Sequence, residues 1–146
     1  MNVKRVLEVV REIQAESPKG RDAKIVIYAN GSKDRTKLVR YLRHHGLKVT
    51  ELITATRVES GVRRFRNSTQ VLVASVQMFG HGIRLSFADG VVLLNIVSWK
   101  QYVQALNTIL NVPHGIELSS KYVRDLDCAY EGKEEYEGLC GKVGTE

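Results

Sequence analysis

The order in which apolar runs and chain-breaking residues succeed one another restricts the fold more than any other feature. "KIVIYA" (residues 24–29) is β-branched or aromatic on both faces, as suits a strand covered by helices on each side of a parallel sheet. "NGSKDRTKLVRYLRHHG" follows and reads as a turn, Ser32 as N-cap, an amphipathic helix on Leu38, Val39, Tyr41 and Leu42, and Gly46 as its C-terminal stop. The unit then repeats. "LKVTELI" (47–53) predicts a second strand, and Val58, Val62 and Phe65 at i, i+4, i+7 predict a helix whose other faces carry Arg57, Arg63, Arg64 and Arg66. "TQVLVAS" (69–75) predicts a third strand, "DGVVLLNIV" (89–97) a fourth, and residues 99 to 111 a helix. Ahead of them Val3, Val6, Val10 and Ile13 recur at helical spacing until "SPKGRD" stops the helix. Strands alternating with helices predict an α/β layered fold with a mostly parallel central sheet and right-handed crossovers.

The 146 residues suit one domain large enough to bury a core without a disulfide or metal staple. No apolar run reaches the ~18 residues needed to cross a bilayer, and "MNVKRVLEVVREIQAE" scatters charges through its apolar positions, unlike a secretory signal. The expectation is an intracellular protein with no membrane partner. Cys128 and Cys140 are too few for a zinc site and are expected to be free thiols in a reducing compartment. The four histidines form no metal-spaced set, and adjacent His44 and His45 suit a helix end, where imidazole meets exposed carbonyls. Neither a metal nor a cofactor is expected.

Charge divides the chain unevenly. The overall charge is +6, yet residues 126–146 hold six acids against two lysines, so residues 1–125 carry the excess cations. A body that basic attracts polyanions, nucleic acid first. The last stretch, "DLDCAYEGKEEYEGLCGKVGTE", has glycines and acids without periodicity. The chain therefore divides into a domain at 1–125 and an acidic, flexible tail at 126–146.

The order of finer features adds more. "VLVASVQMFGHGIRLSFADGVVLLNIVSWKQYVQALNTIL" has a strand ending in Ser75, then Gly80 and Gly82, Ile83 and Leu85, Ala88, the apolar "VVLLN", Trp99, and a helix bearing Gln104 and Ala105. This succession resembles the second, C-terminal RecA-like lobe of superfamily-two helicases, particularly the Swi/Snf-type DNA translocases. "KIVIYANGSKDRTKLVRYLRHHGLKV" is similar to the strand, turn and helix that begin that lobe, and "VESGVRRFRNSTQVLVAS" to its next helix and strand. The resemblance spans roughly residues 1 to 112 and implies a RecA-like three-layer fold.

The physical reasons stand beside the resemblance. Gly80 and Gly82 free the backbone to approach a phosphate closely, or simply make a tight turn. Ser32 and Lys33 open a helix after a strand, where backbone N–H groups, a hydroxyl and an ammonium can hold one phosphate; a plain N-cap also accounts for Ser32. With Arg57, Arg63, Arg64, Ser75 and Arg84, these are the candidate nucleic-acid contacts. Arg84 stands where the family commonly has asparagine.

Active members carry two arginines on the Gln-Ala helix that reach the nucleotide held by the first lobe, and arginine fingers contribute on the order of 10³ or more in rate. Carried over from Gln104 and Ala105, those positions hold Thr108 and Asn111, and neither supplies a guanidinium. The spacing from Trp99 to Gln104 is also shorter than the family's. "GLCGKVGT" (138–145) fails as a phosphate loop because Val143 follows Lys142 where Ser or Thr is required. No catalytic residues and no autonomous ATPase activity are expected.

Four readings follow. The first is a degenerate helicase C-terminal lobe that binds nucleic acid, DNA before RNA, through phosphates, and is nuclear if the source is eukaryotic. The second is a protein-interaction module that docks on a larger ATPase or chromatin protein, or on its own copy as a homodimer. A third makes the chain one part of a larger ATPase. The fourth is an unrelated flavodoxin-like regulatory domain, since a fold never specifies a function by itself.

Overall fold

The structure, a computed structural model, describes residues 1–53, 57–75, 85, 87–95, 98–110, 123–126 and 128, and for 106–110 the backbone alone. Helix α1 (Val3–Glu16) and a short 3-10 turn lead into strand β1 (Ile25–Ala29), followed by α2 (Ser32–His44), β2 (Val49–Glu51), α3 (Val58–Ser68), β3 (Val71–Ala74), β4 (Gly90–Leu94), α4 (Trp99–Leu110) and β5 (Val123–Leu126). The five strands form one sheet in the order β2-β3-β1-β4-β5, and every pairing is parallel. This is the expected α/β three-layer arrangement.

β1 is central because every one of its residues is apolar and buried, and a central parallel strand presents no face to water. Its alternation sorts the core into two layers. Ile25, Ile27 and Ala29 meet Val6, Val10 and Ile13 of α1 and Leu38, Val39 and Leu42 of α2 on one face. Val26 and Tyr28 meet Val58 and Phe65 of α3, Ala105 of α4, and Leu85 from between β3 and β4 on the other. Gly61 lets α3 lie close on β2, for a Cβ there would collide with the Leu52 side chain.

The helix ends follow their local chemistry. Asn2 caps α1, its Oδ1 accepting from the Arg5 N–H at 3.2 Å. At α2 the expectation is off by one residue: Gly31 is the N-cap in extended conformation and Ser32 is already helical, with no side-chain cap. The Arg35 N–H bonds the Gly31 carbonyl at 2.9 Å, which closes the first helical turn one residue upstream. α2 stops as expected, with His44 and His45 at its end and Gly46 at φ +89, where the Leu47 N–H returns to the Leu42 carbonyl. β4 ends at Leu94, before Asn95 at φ 56, a region that asparagine is among the few residues to tolerate; Ile96 and Val97 of the expected strand lie outside the described residues.

β5 has no counterpart in the sequence reading. "VRDL" is four residues long with two charges and only partial burial, so it lacks the apolar run that marks the inner strands. Parallel pairing with β4, Leu126 opposite Leu94, makes it a strand. It extends one residue into the segment expected to be a tail.

The N-terminal end of the sheet is closed by polar groups that satisfy one another. The Lys24 backbone N–H donates to Asp89 Oδ2 at 2.7 Å, and Lys19 Nζ lies 3.2 Å from Asp89 Oδ1. Lys24 Nζ donates to the carbonyls of Phe65 at 2.8 Å and Thr69 at 2.6 Å, capping α3 where its dipole is negative. Burial pushes this ammonium below its usual range; nearby Lys19 adds to the effect, and Asp22 and Asp89 oppose it.

Candidate nucleic-acid interface

In an all-parallel sheet the strands end together, and the crossover helices begin at that shared edge, where α/β proteins generally bind ligands. Here α2 starts beyond β1, α3 beyond β2, and Ser75 follows β3. The edge is braced from within: Arg35 Nη1 donates to the Ala29 carbonyl at 2.9 Å, and Asn30 Nδ2 donates to Gln101 Oε1 at 3.2 Å, tying the end of β1 to α4. In the first turn of α4 the rings of Trp99 and Tyr102 stack 4.5 Å apart.

An open groove of about 430 Å³ runs along the outer side of α2, lined by Ser32, Lys33, Thr36, Lys37 and Arg40. Its lining contains three cations, two hydroxyls and no carboxylate. Lys33, Lys37 and Arg40 fall at i, i+4 and i+7, one above the other on a helix. They span roughly 10 Å, enough to neutralise two or three consecutive phosphates of a strand that rises ~3.4 Å per nucleotide.

A second groove of about 210 Å³ lies between the end of β2 and α3, lined by Thr50, Glu51, Leu52, Ile53, Arg57, Ser60, Gly61 and Arg64. The two meet at the edge strand: the Thr36 hydroxyl lies 3.1 Å from the Ser32 carbonyl and 3.4 Å from Glu51 Oε2. α2 and α3 pack on opposite faces of the sheet, so the cationic surface wraps around β2. Lys33, Lys37, Arg40, Arg57 and Arg64 are all exposed. None makes a side-chain hydrogen bond or ion pair with a described residue.

The candidates separate accordingly. Ser32 and Lys33 share one groove; Arg57 and Arg64 share the other. Arg63 is exposed on α3 outside that lining. Ser75 is buried at the end of β3, 8% exposed. Gly80, Gly82, Arg84 and Asn111 lie outside the described residues, and of Thr108 only the helical backbone is described. The structure adds Thr36, Lys37 and Arg40, whose helical spacing from Lys33 was a readable signal. Arg66 is engaged elsewhere, its guanidinium 5.2 Å from the Phe87 ring centre.

No protein-family model and no curated protein matches the sequence. Solved structures do match. The chain is similar to the C-terminal part of the Fun30 ATPase domain, with TM-score 0.68 and 15% identity over 93% of this chain and 44% of that one. It is also similar to the helicase domain of Pyrococcus furiosus Hef, with TM-score 0.56 and 16% identity over 94% of this chain and 27% of that one. The fold is that of a RecA-like helicase domain. The chain spans less than half the length of either structure, and at such identity the likeness concerns the fold.

Proposed function

We propose that the chain is a degenerate Swi/Snf-like second helicase lobe that hydrolyses no nucleotide by itself and binds nucleic acid, DNA in preference to RNA, through phosphate contacts. The observation that carries this reading is the α2 groove, whose lining of three stacked cations and two hydroxyls contains no carboxylate and starts beyond the end of β1 in a parallel sheet. Arg57 and Arg64 extend the positive surface around β2. Thr108 and Asn111, where the resemblance would place arginines, support the absence of nucleotide hydrolysis.

Fluorescence anisotropy with a labelled duplex and a single strand tests the proposal. Lys33→Ala/Lys37→Ala/Arg40→Ala is compared with the unaltered chain and with Arg63→Ala/Arg64→Ala. With about four phosphate contacts, affinity falls roughly 100-fold between 50 and 200 mM salt, and the triple variant flattens the slope of log K against log salt by about 3. Binding indifferent to salt would sink the reading.

One feature supports a second reading. Ile53, 74% exposed, sits in the α3 groove beside Arg57 and Arg64, a combination suited to docking a protein with an apolar and an acidic side chain, such as a larger ATPase, a chromatin protein or a second copy of the chain. Light scattering with such partners, and loss of the complex in Ile53→Ser, distinguishes this from nucleic-acid binding. A nuclear setting accompanies either reading if the source is eukaryotic.

A further inference from the structure

We propose that residues 129–146 of the same chain occupy the α2 groove when no external polyanion does, so that the protein competes with its own ligand. This inference rests on the nucleic-acid reading above for its functional consequence. Three observations carry it.

The first is complementarity. Glu131, Glu134, Glu135 and Glu137 crowd into seven residues with only Lys133 among them, while the groove lining offers Lys33, Lys37 and Arg40 without a carboxylate. A run of carboxylates presents negative charge as a phosphate backbone does, and at close range the opposite potentials attract.

The second is the point from which the segment departs. Ala29 pairs with Leu94 and Leu94 with Leu126, placing the ends of β1, β4 and β5 in one row. β5 therefore delivers the chain to the end of the sheet from which α2 rises, about 10 Å from β1 and, since β5 and β2 are opposite edges, roughly 20 Å from the β2 flank beside which the groove lies. That departure point is held: Arg124 Nη2 bonds Glu16 Oε2 at 2.8 Å, and the Cys128 thiol donates to the Leu93 carbonyl at 3.2 Å.

The third is reach. The 18 residues from 129 to 146 extend to at most about 60 Å, well beyond what the groove requires. Tethering at such a length gives an effective concentration in the ~mM range, so even weak ionic contacts are populated.

The experiment neutralises the segment in the full chain with Glu131→Gln/Glu134→Gln/Glu135→Gln/Glu137→Gln. Duplex affinity at about 50 mM salt is expected to tighten roughly 3- to 10-fold. The salt slope should steepen, because the duplex no longer displaces an anion already bound, and the difference should close as salt rises. The peptide 129–146, added to the neutralised chain, should restore the weaker binding, whereas the same peptide with the four glutamines should not.

Equal duplex affinity in both chains would overturn the proposal and leave the nucleic-acid reading intact. If neither chain binds duplex at low salt, that reading fails with its consequence, and backbone amide resonances of Lys33 to Arg40 decide the contact itself. Concentration-independent shifts on neutralisation support a tail seated in the groove. Unmoved resonances remove it, and shifts that grow with protein concentration assign the groove to another copy's tail.

Discussion

At the N-terminal end of the sheet Asp89 accepts from the Lys24 backbone N–H and pairs with Lys19 while the Lys24 ammonium caps α3, at distances of 2.6 to 3.2 Å, whereas at the C-terminal end the Lys33, Lys37, Arg40, Arg57 and Arg64 side chains meet no acceptor among the described residues. The residue types are the same; their surroundings differ. A lysine drawn over the end of a helix meets carbonyls left without intrahelical donors, and its charge joins two elements. The lysines on the outer face of α2 share a groove with the Ser32 and Thr36 hydroxyls and make no side-chain bond to a described residue. One end thus ties elements of the fold together, and the other leaves its cations exposed.

Asp89→Ala should break that contrast most strongly. The substitution removes the acceptor of the Lys24 N–H and the partner of Lys19, leaving a partly buried donor without its charged acceptor. The expected loss is about 2 kcal/mol, a fall in Tm of roughly 4–8 °C for a chain of this size, read by thermal and urea unfolding. Duplex affinity measured well below Tm should be unchanged. A weakened affinity in a chain that remains folded would mean that the two ends are not independent.

The complementary variant, Lys33→Ala/Lys37→Ala/Arg40→Ala, should change stability by no more than about 0.5 kcal/mol, since exposed side chains without partners contribute little to the folded state. Its effect belongs in binding. If its unfolding midpoint drops as far as that of Asp89→Ala, the α2 cations are structural and the groove loses its claim as a ligand surface.

The sequence showed these two ends unequally. Helices and inner strands were legible because their apolar residues are local and periodic: "IVIYA" can hardly be other than a covered strand, and Leu38, Val39 and Leu42 mark the inner side of α2. That a helix opens near Ser32 and Lys33 was legible for the same reason, a strand followed by a turn and an amphipathic pattern. The closed end was not, because Lys24 and Asp89 lie 65 residues apart and nothing local distinguishes them from surface charges. β5 was missed on related grounds: a four-residue edge strand containing Arg124 and Asp125 is defined by its neighbour, β4, rather than by its own pattern. Lys37 and Arg40 stand in a helical ladder with Lys33, but exposed cations at that spacing are common on solvated helix faces and do not by themselves mark a groove.

The smallest expected effect tests whether Lys24 is held as its surroundings require. Its folded pKa lies below the ordinary 10.5 because burial disfavours the ammonium. Across the window from that depressed value up to about 10.5, the unfolded chain keeps a proton that the folded chain has released, so stability rises with pH. Below the window both states are protonated and the contribution is constant. The neutral amine still has two N–H groups, one for each of the Phe65 and Thr69 carbonyls, so deprotonation need not uncap α3. Lys24→Met preserves most of the apolar stem and removes the titration; subtracting its urea-unfolding profile from that of the unaltered chain between about pH 7 and 10.5 should leave a shallow upward slope. A downward slope would mean that the bonds to the two carbonyls hold the ammonium more strongly than burial disfavours it, raising its pKa and leaving the closed end dependent on a full positive charge.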